Sequence, residues 1–566
     1  MTFLRDKLIF WMALFVLSVG GASQAFSEAG AVSPPAELSS DLERLAGPDA
    51  GLQEGAVSRL AESGAPAALA VLTALHEGAL HLWIESNGRS RVVLLKTVEE
   101  PSGERKSYLV DPLTSETLRE WDDLEEGLEM VSARSPEGRR RLQIALNGFK
   151  LFDPSAEIRR SAAVKIGNGG DPSALPILQR ALARETDRWA RHAIDEAIQG
   201  ILLADADPAA RSGAAVRLGE IKGFETLPRM KALLSEEPVE PDEVVRGAIQ
   251  GAIQKIERYQ FWEELIGTLF SGVSLGSILL LMGLGLAITF GLMGVINMAH
   301  GEMMMIGAYT TYVLQEMFVA YLPPGLHDYY FIAALPFSFV VTGAVGWLLE
   351  KSVIQRLYGK PLETLLATWG VSMILQQAAR WYFGDLTSVN SPTWMRGGAQ
   401  WMVGLVLPYN RIFIIILSVA GLIGIRLLLF RTRWGLKIRA VTQNREMSAC
   451  LGISTPKVDG LTFALGAGMA GLAGCALSLV GNVDPEMGKT YIVDSFMVVV
   501  VGGVGKLSGT VASAMGIGML NKILEPVIGG TGGAIYAKLI LLAGIILFLQ
   551  RKPSGLFPAK GRAAES

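Results

Sequence analysis

Long apolar runs recur through the second half of this chain with almost nothing charged inside them, and no water-soluble fold can hide that much apolar surface. Only 34 of the last 302 residues are Asp, Glu, Lys or Arg, against 71 of the first 264. The runs fall at 269–297, 303–320, 331–349, 364–383, 411–430, 460–481, 491–504, 509–524 and 534–550. A single soluble enzyme is excluded, as is a disordered or collagen-like chain. The basic residues between the runs set an orientation. Lys351, Arg356 and Lys360, then Arg431, Arg433, Lys437, Arg439 and Arg445, then Arg551, Lys552, Lys560 and Arg562 mark inner loops, because cytoplasmic loops gather Lys and Arg. The segments 321–330, 384–400 and 481–488 are poor in such charge and belong outside. An outside N-terminus and an inside C-terminus need an odd number of crossings, and nine segments supply it. The run 491–504 is short for a span, so it is either broken or re-entrant. The predicted fold class is an all-α polytopic membrane protein of about nine transmembrane segments, 265–560. An extracytoplasmic α-solenoid with a small β insertion precedes it.

Arg5 and Lys7, an apolar stretch from Leu8 to Gly20, and Ser23-Gln24-Ala25 read as a secretory signal, residues 1–25, cleaved after Ala25. The alternative is an uncleaved anchor. Either one delivers residues 26–260 to the extracytoplasmic side. This half repeats itself. Ala162, Gly167, Leu175 and Pro176 recur 52 residues on as Ala214, Gly219, Leu227 and Pro228. Ala197-Ile198-Gln199 recurs as Ala252-Ile253-Gln254, and Gly64, Pro66, Leu69 and Leu72 precede Gly170, Pro172, Leu175 and Leu178 at a constant offset. Helical spacing between these Gly and Pro marks is the signature of HEAT-like repeats. Residues 80–118 break the pattern with short β-rich runs separated by Asn87-Gly88 and Ser102-Gly103, which predicts a β-meander. His76 and His81 lack a third ligand and are surface residues, so no metal site is expected. The half carries 30 basic and 41 acidic residues, which disfavours nucleic acid, and neither Cys450 nor Cys475 lies in it. It reads as a scaffold or docking surface.

Three polar signals sit in the apolar half. Asn297, His300 and Glu302 stand at the junction of two runs, where polar groups are costly in lipid and must face the interior. Two compatible readings stand: a functional role on the substrate route, with Asn297 and His300 on one helical face, or the capping of a broken helix. The segment 501–509, VGGVGKLSG, is not a phosphate loop: Val500 stands where its first glycine belongs, and Leu507 replaces the hydroxyl residue. No other nucleotide-binding motif occurs, and no cofactor is expected. The stretch 431–454 is the longest polar inner segment. Trp434, Ile438 and Val441, then Met447, Cys450 and Leu451, recur every three to four residues, predicting a short amphipathic helix at the membrane face or in a partner groove. Glycines such as Gly466, Gly468, Gly471 and Gly474 predict close helix packing.

NMAHGEMMMIGAY, GLKIRAVTQNREMSACLGI, VVVGGVGKLSGTVASAMGIG and KPSGLFP, in that order, resemble the branched-chain amino-acid type of ABC-transporter permease over residues 265–560. The added signal, helical repeats and outside domain look like the urea-type permease subunits of that family. The resemblance implies a bacterial inner-membrane importer subunit, N-terminal domain periplasmic and C-terminus cytoplasmic, that translocates urea. Its implied partners are a second permease subunit, two ATPase subunits and a periplasmic substrate-binding protein. It implies too that Glu446, Ala449 and Gly452 belong to the coupling loop that docks on the ATPase. A branched-chain amino-acid permease is the alternative, and a membrane-anchored receptor or a channel are further ones.

Overall fold

A computed structural model describes residues 36–557 except 48, 64, 85–89, 100–104, 115, 122–127, 134, 236–239 and 530–531. The signal segment and the two turns expected to join the β-meander lie outside these residues. The chain divides into two compact units, Met1–Ile256 and Glu257–Ser566.

The first unit opens with helices α1 (Ala36–Ala46), α2 (Ala50–Ser63) and α3 (Pro66–Glu77). Pro66 starts α3, where its missing N–H is no loss, and Gly78 ends it at φ 73°. Five strands follow: β1 (Leu80–Ile84), β2 (Ser90–Glu99), β3 (Arg105–Val110), β4 (Thr117–Trp121) and β5 (Leu128–Met130). They form one antiparallel sheet in the order β4-β3-β2-β1-β5. The meander thus runs past residue 118. Its fifth strand, three residues with no strong alternation, returns to pair with β1. Alternation along β2 serves two cores: Val92 and Leu94 meet the helices, while Val93 and Leu95 pack with Leu109 and Trp121.

Helices α4 (Pro136–Lys150), α5 (Ala156–Gly169), α6 (Leu175–Arg184), α7 (Arg188–Leu202), α8 (Pro208–Ile221) and α9 (Leu227–Ser235) complete the unit, and α10 (Glu243–Met293) begins in it. The sequence repeat is also a repeat of contacts. Arg159 makes a two-pronged bond to the buried Glu185, 2.7 Å at each prong, and donates to the carbonyls of Asp153 and Pro154. Fifty-two residues on, Arg211 does the same with Glu240 and the carbonyls of Asp205 and Ala206. The recurring Gly and Ala are one contact made twice. A Cβ on Gly167 would lie 2.8 Å from that of Ala197, and one on Gly219 would lie 2.9 Å from the Cα of Ala252. Backbones this close admit only glycine, so the motif repeats where the helix pairs repeat.

The second unit holds the remainder of α10, then α11 (His300–Tyr321), α12 (Tyr330–Ser352), α13 (Pro361–Phe383), the hairpin β6 (Gly398–Gln400) and β7 (Val406–Pro408), α14 (Tyr409–Arg431), α15 (Arg433–Gln443), α16 (Arg445–Cys450), α17 (Thr455–Leu477), α18 (Met487–Gly502), α19 (Leu507–Ile528) and α20 (Gly533–Arg551). Among the described residues six helices, α10, α12, α14, α17, α19 and α20, are long and apolar enough to cross a membrane. The other three expected spans are helices as well. However, α18 has only 16 residues, while α11 and α13 carry polar residues on the face they bury. The unit buries polar side chains among its apolar core and turns large apolar side chains outward. Val340, Leu366, Ile374, Ile423 and Leu539 are exposed, while Thr311, Ser338, Thr342, Thr368 and Ser418 are fully buried. Segments expected to share a side meet one another. Thr387 bridges Val483, and the Tyr330 hydroxyl donates to the Asn390 carbonyl at 2.7 Å.

Candidate functional site

The expected continuous run through residue 297 breaks. Helix α10 ends at Met293, Gly294 turns at φ 67°, and α11 starts only at His300. Asn297 and His300 therefore do not share one helix. Asn297 caps the break: its Oδ1 accepts from the backbone N–H of Ala299 at 3.0 Å. Its Nδ2 is buried without a partner among the described residues. The His300 ring turns toward α10, where its Nε2 lies 3.2 Å from the Met282 carbonyl. A carbonyl only accepts, so Nε2 carries the proton and Nδ1 of the neutral ring is an acceptor, also buried and unpartnered. Glu302 turns the other way. Its Oε1 accepts from the Ser372 hydroxyl at 2.8 Å and from the Gln376 amide. The three residues thus diverge around one break. His300 bolts α11 to α10, Glu302 bolts it to α13, and Asn297 stands between.

The partners of Glu302 went unremarked in the sequence reading. Thr364, Thr368, Ser372 and Gln376 recur every four residues on α13 and are all buried, while Leu362, Leu366, Trp369, Met373 and Ile374 on its other faces are exposed. In lipid this inverted helix must turn its polar stripe inward. Thr368 accepts from the backbone N–H of Met298 at 3.1 Å, and Gln376 donates to the Ser372 hydroxyl at 3.1 Å. The stripe covers about 18 Å of helix, more than half the hydrocarbon thickness. Its four-residue period among apolar neighbours was the signal available.

The polar segment 431–454 forms two helices rather than one. Helix α15 ends at Gln443, and Asn444 restarts the chain by accepting from the Met447 N–H at 2.9 Å. Ile438 and Val441 are buried, whereas Trp434, Met447, Cys450 and Leu451 are exposed. The predicted stripe is therefore split between an anchored part and a free part. Glu446, Ala449 and Gly452 are exposed, with Gly452 in the left-handed turn that ends α16. Arg445 holds the short helix down. Its guanidinium pairs with the buried Asp459 of α17 and lies 4.6 Å over the Tyr358 ring, whose hydroxyl donates to Glu350 of α12 at 3.3 Å. Residues 501–509 run from the last residues of α18 through a turn at 503–506 into the first residues of α19. The Leu556 N–H donates to the Val501 carbonyl at 2.8 Å, and no strand precedes the turn. No group of three or more His, Cys, Asp or Glu is placed to hold a metal among the described residues.

Residues 268–549 match the protein family described as "Branched-chain amino acid transport system / permease component". The chain is 28% identical over 306 residues, 53% of its length and 96% of the relative's, to a protein of Pseudomonas aeruginosa named high-affinity branched-chain amino acid transport system permease protein BraD. It is 29% identical over 298 residues, 51% of its length and 94% of the relative's, to the permease protein LivH of Escherichia coli strain K12. A more distant match, 25% identical over 305 residues, 50% of this chain and 68% of the relative, is the permease protein LivM of Salmonella typhimurium. No solved structure matches the chain.

Proposed function

We propose, from the premise that residues 268–549 belong to the branched-chain amino acid transport permease family, that the chain is the membrane permease subunit of an ABC importer for branched-chain amino acids. It is a multi-pass membrane protein and a transport subunit rather than an enzyme. The observation that carries the route is the buried polar seam of Glu302, Thr368, Ser372 and Gln376 between α11 and α13, beside the unpaired amide of Asn297. A polar solute leaving water loses hydrogen bonds, and such a seam replaces them. The helices of the seam, α11 and α13, with the short α18, complete nine crossings in a bacterial inner membrane, with the first unit periplasmic and the C-terminus cytoplasmic. The sequence holds no nucleotide site, so two ATPase subunits supply the energy, one of them docking on Glu446, Ala449 and Gly452, and Arg445 passes its motion to α12 and α17. A second, homologous permease completes the pore, in keeping with matches to both LivH-type and LivM-type relatives. A periplasmic binding protein delivers the solute.

Urea is a second reading, favoured by two features. The family match covers 268–549 and the relatives align with only about half of the chain, which leaves the first unit outside the family match. Asn297 Nδ2 offers donors and His300 Nδ1 an acceptor, a mixed set that suits a small uncharged amide. Reconstitution with ATPases, a second permease and a binding protein tests both. ATP-dependent uptake of labelled leucine, competed by isoleucine and not by urea, supports the first reading; the reverse competition selects urea. Flux without ATP makes the protein a channel, and no flux with any partner set leaves a membrane-anchored receptor. Asn297→Ala is expected to lower the apparent affinity about tenfold, the size of one lost hydrogen bond, and unchanged uptake would remove Asn297 from the route.

A further inference from the structure

An apolar groove of about 510 Å³ opens among the ends of α12, α14, α15 and α17 that carry the basic loops. Leu428, Leu461 and Leu465 line it, with Trp347 and Trp434 at its sides and Thr432 and Lys457 at its mouth. Two further lysines stand over those indoles, Lys351 Nζ at 4.9 Å from the Trp347 ring and Lys437 Nζ at 4.9 Å from the Trp434 ring. None of these three lysines pairs with a carboxylate among the described residues. Of the nearby acids, Asp459 is paired with Arg445, while Glu350 takes a hydrogen bond from Tyr358 and sets one negative charge against the three lysines. Three lysines without a carboxylate partner, around a largely apolar cleft, call for an anion with an apolar body.

We propose that this groove binds one anionic phospholipid of the inner leaflet, its phosphate among Lys351, Lys437 and Lys457 and an acyl chain between Trp347 and Trp434. Charge and position on the surface both point to a lipid. The groove lies beside Leu348, Ile423 and Leu427, apolar residues that α12 and α14 expose to the surroundings. Tryptophan and lysine together mark the headgroup level of a membrane, and basic clefts between helices on the cytoplasmic side select anionic headgroups. Depth agrees as well. Lys457 and Leu465 are separated by about 12 Å along α17, close to the roughly 15 Å of one leaflet's hydrocarbon. The bound lipid braces α15, and with it the segment that carries Glu446, against α12 and α17. That last consequence rests on the transport reading, whereas lipid binding itself does not.

Native mass spectrometry of the purified full-length protein, delipidated and titrated with phosphatidylglycerol or phosphatidylcholine, tests it. Wild type is expected to retain phosphatidylglycerol about tenfold better than phosphatidylcholine. The triple variant Lys351→Gln, Lys437→Gln, Lys457→Gln, all at exposed positions, is expected to lose that preference. Leu461→Trp fills the groove, keeps the lysines, and should displace lipid of either headgroup from this site. A photoreactive phosphatidylglycerol should label peptides containing Trp434 or Leu461. Equal retention of both lipids by wild type, or undiminished preference in the triple variant, overturns the proposal. So does a photoreactive residue placed at 434 that captures a subunit of the assembled transporter instead of lipid. These outcomes are read without any transport measurement, so they stand apart from the fate of the permease reading.

Discussion

At the scale of single residues, Glu302 is an acid buried in the membrane unit, where a polar group needs partners. Its worth lies in what it satisfies. Glu302→Ala leaves the Ser372 hydroxyl buried without an acceptor, at about 1–3 kcal/mol, and leaves the Gln376 amide only its bond to Ser372. Glu302→Gln retains an acceptor oxygen and the shape. Thermal unfolding in detergent should therefore separate the two, with the alanine variant clearly destabilised and the glutamine variant within about 1 kcal/mol of wild type. A second residue carries a pH signature outside the membrane. Burial pushes the Glu196 carboxyl up to about 7, partly offset by the Thr226 N–H that donates to it at 3.2 Å. Its pKa is raised on folding, so the stability it lends is complete below the ordinary carboxylate range and is lost as pH climbs through about 7. The full span is on the order of 3 kcal/mol. His192 is half-buried beside it, its pKa lowered by desolvation, and slopes the opposite way, so the difference between wild type and Glu196→Gln isolates the carboxyl. Hydrogen exchange of α7 and α8 between pH 5 and 8 should fall in protection with rising pH more steeply in wild type than in the variant, and parallel slopes would refute the assignment.

Among elements, the same residue type means different things on different helix faces. Gly474 of α17 lies so close to α11 that a Cβ would stand 1.8 Å from the Met304 carbonyl, whereas Gly516 of α19 has nothing within 4 Å. Gly474→Val should destabilise the membrane unit by about 3 kcal/mol and abolish a monodisperse peak in size-exclusion chromatography. Gly516→Val should change neither stability nor elution by a measurable amount. The sequence announced such packing by its glycine density but not which glycines are in contact, because contact depends on how the helices are paired. The same limit explains what was and was not legible elsewhere. The apolar runs became helices because their composition permits little else. The 52-residue repeat became a repeat of arginine–glutamate bonds because its residues make the same local contacts each time. The break before His300 was legible only as an alternative, since Asn297, Gly294 and His300 suit a cap as well as a helical face. The α13 stripe was overlooked because each of its members is weakly polar alone and only the four-residue period gives it away. The split of 431–454 at Asn444 turned on one side chain bonding the Met447 N–H, a local choice that apolar spacing cannot reveal.

For the whole molecule, the proposed division of labour is that the second unit conducts and couples while the first serves delivery. Coupling has a physical path to attack. Arg445 is the only residue of α16 paired to a buried acid among the described residues, and Asp459, Tyr358 and Glu350 carry the contact into α17 and α12. If docking at Glu446 moves that path, Arg445→Ala should leave ATPase binding intact, keep hydrolysis within a few-fold, and lower transport per ATP by at least tenfold, because the removed contact transmits motion and does not form the docking face. Equal loss of hydrolysis and transport would place Arg445 in the docking face instead. The first unit yields to a cleaner cut. BraD and LivH are covered over 96% and 94% of their length by about half of this chain, so a permease of that length is a sufficient unit in them. Deleting residues 26–240 keeps α10 whole together with its cap, in which Asp242 accepts from the Val244 N–H at 2.8 Å. The shortened chain should insert and assemble with its partners, and its ATP-driven uptake should need a higher concentration of binding protein for half-maximal rate while the maximal rate stays near wild type. A fall in maximal rate at saturating binding protein would move the first unit from delivery into the transport cycle itself. Retention of both values would leave it a role unconnected with the solute.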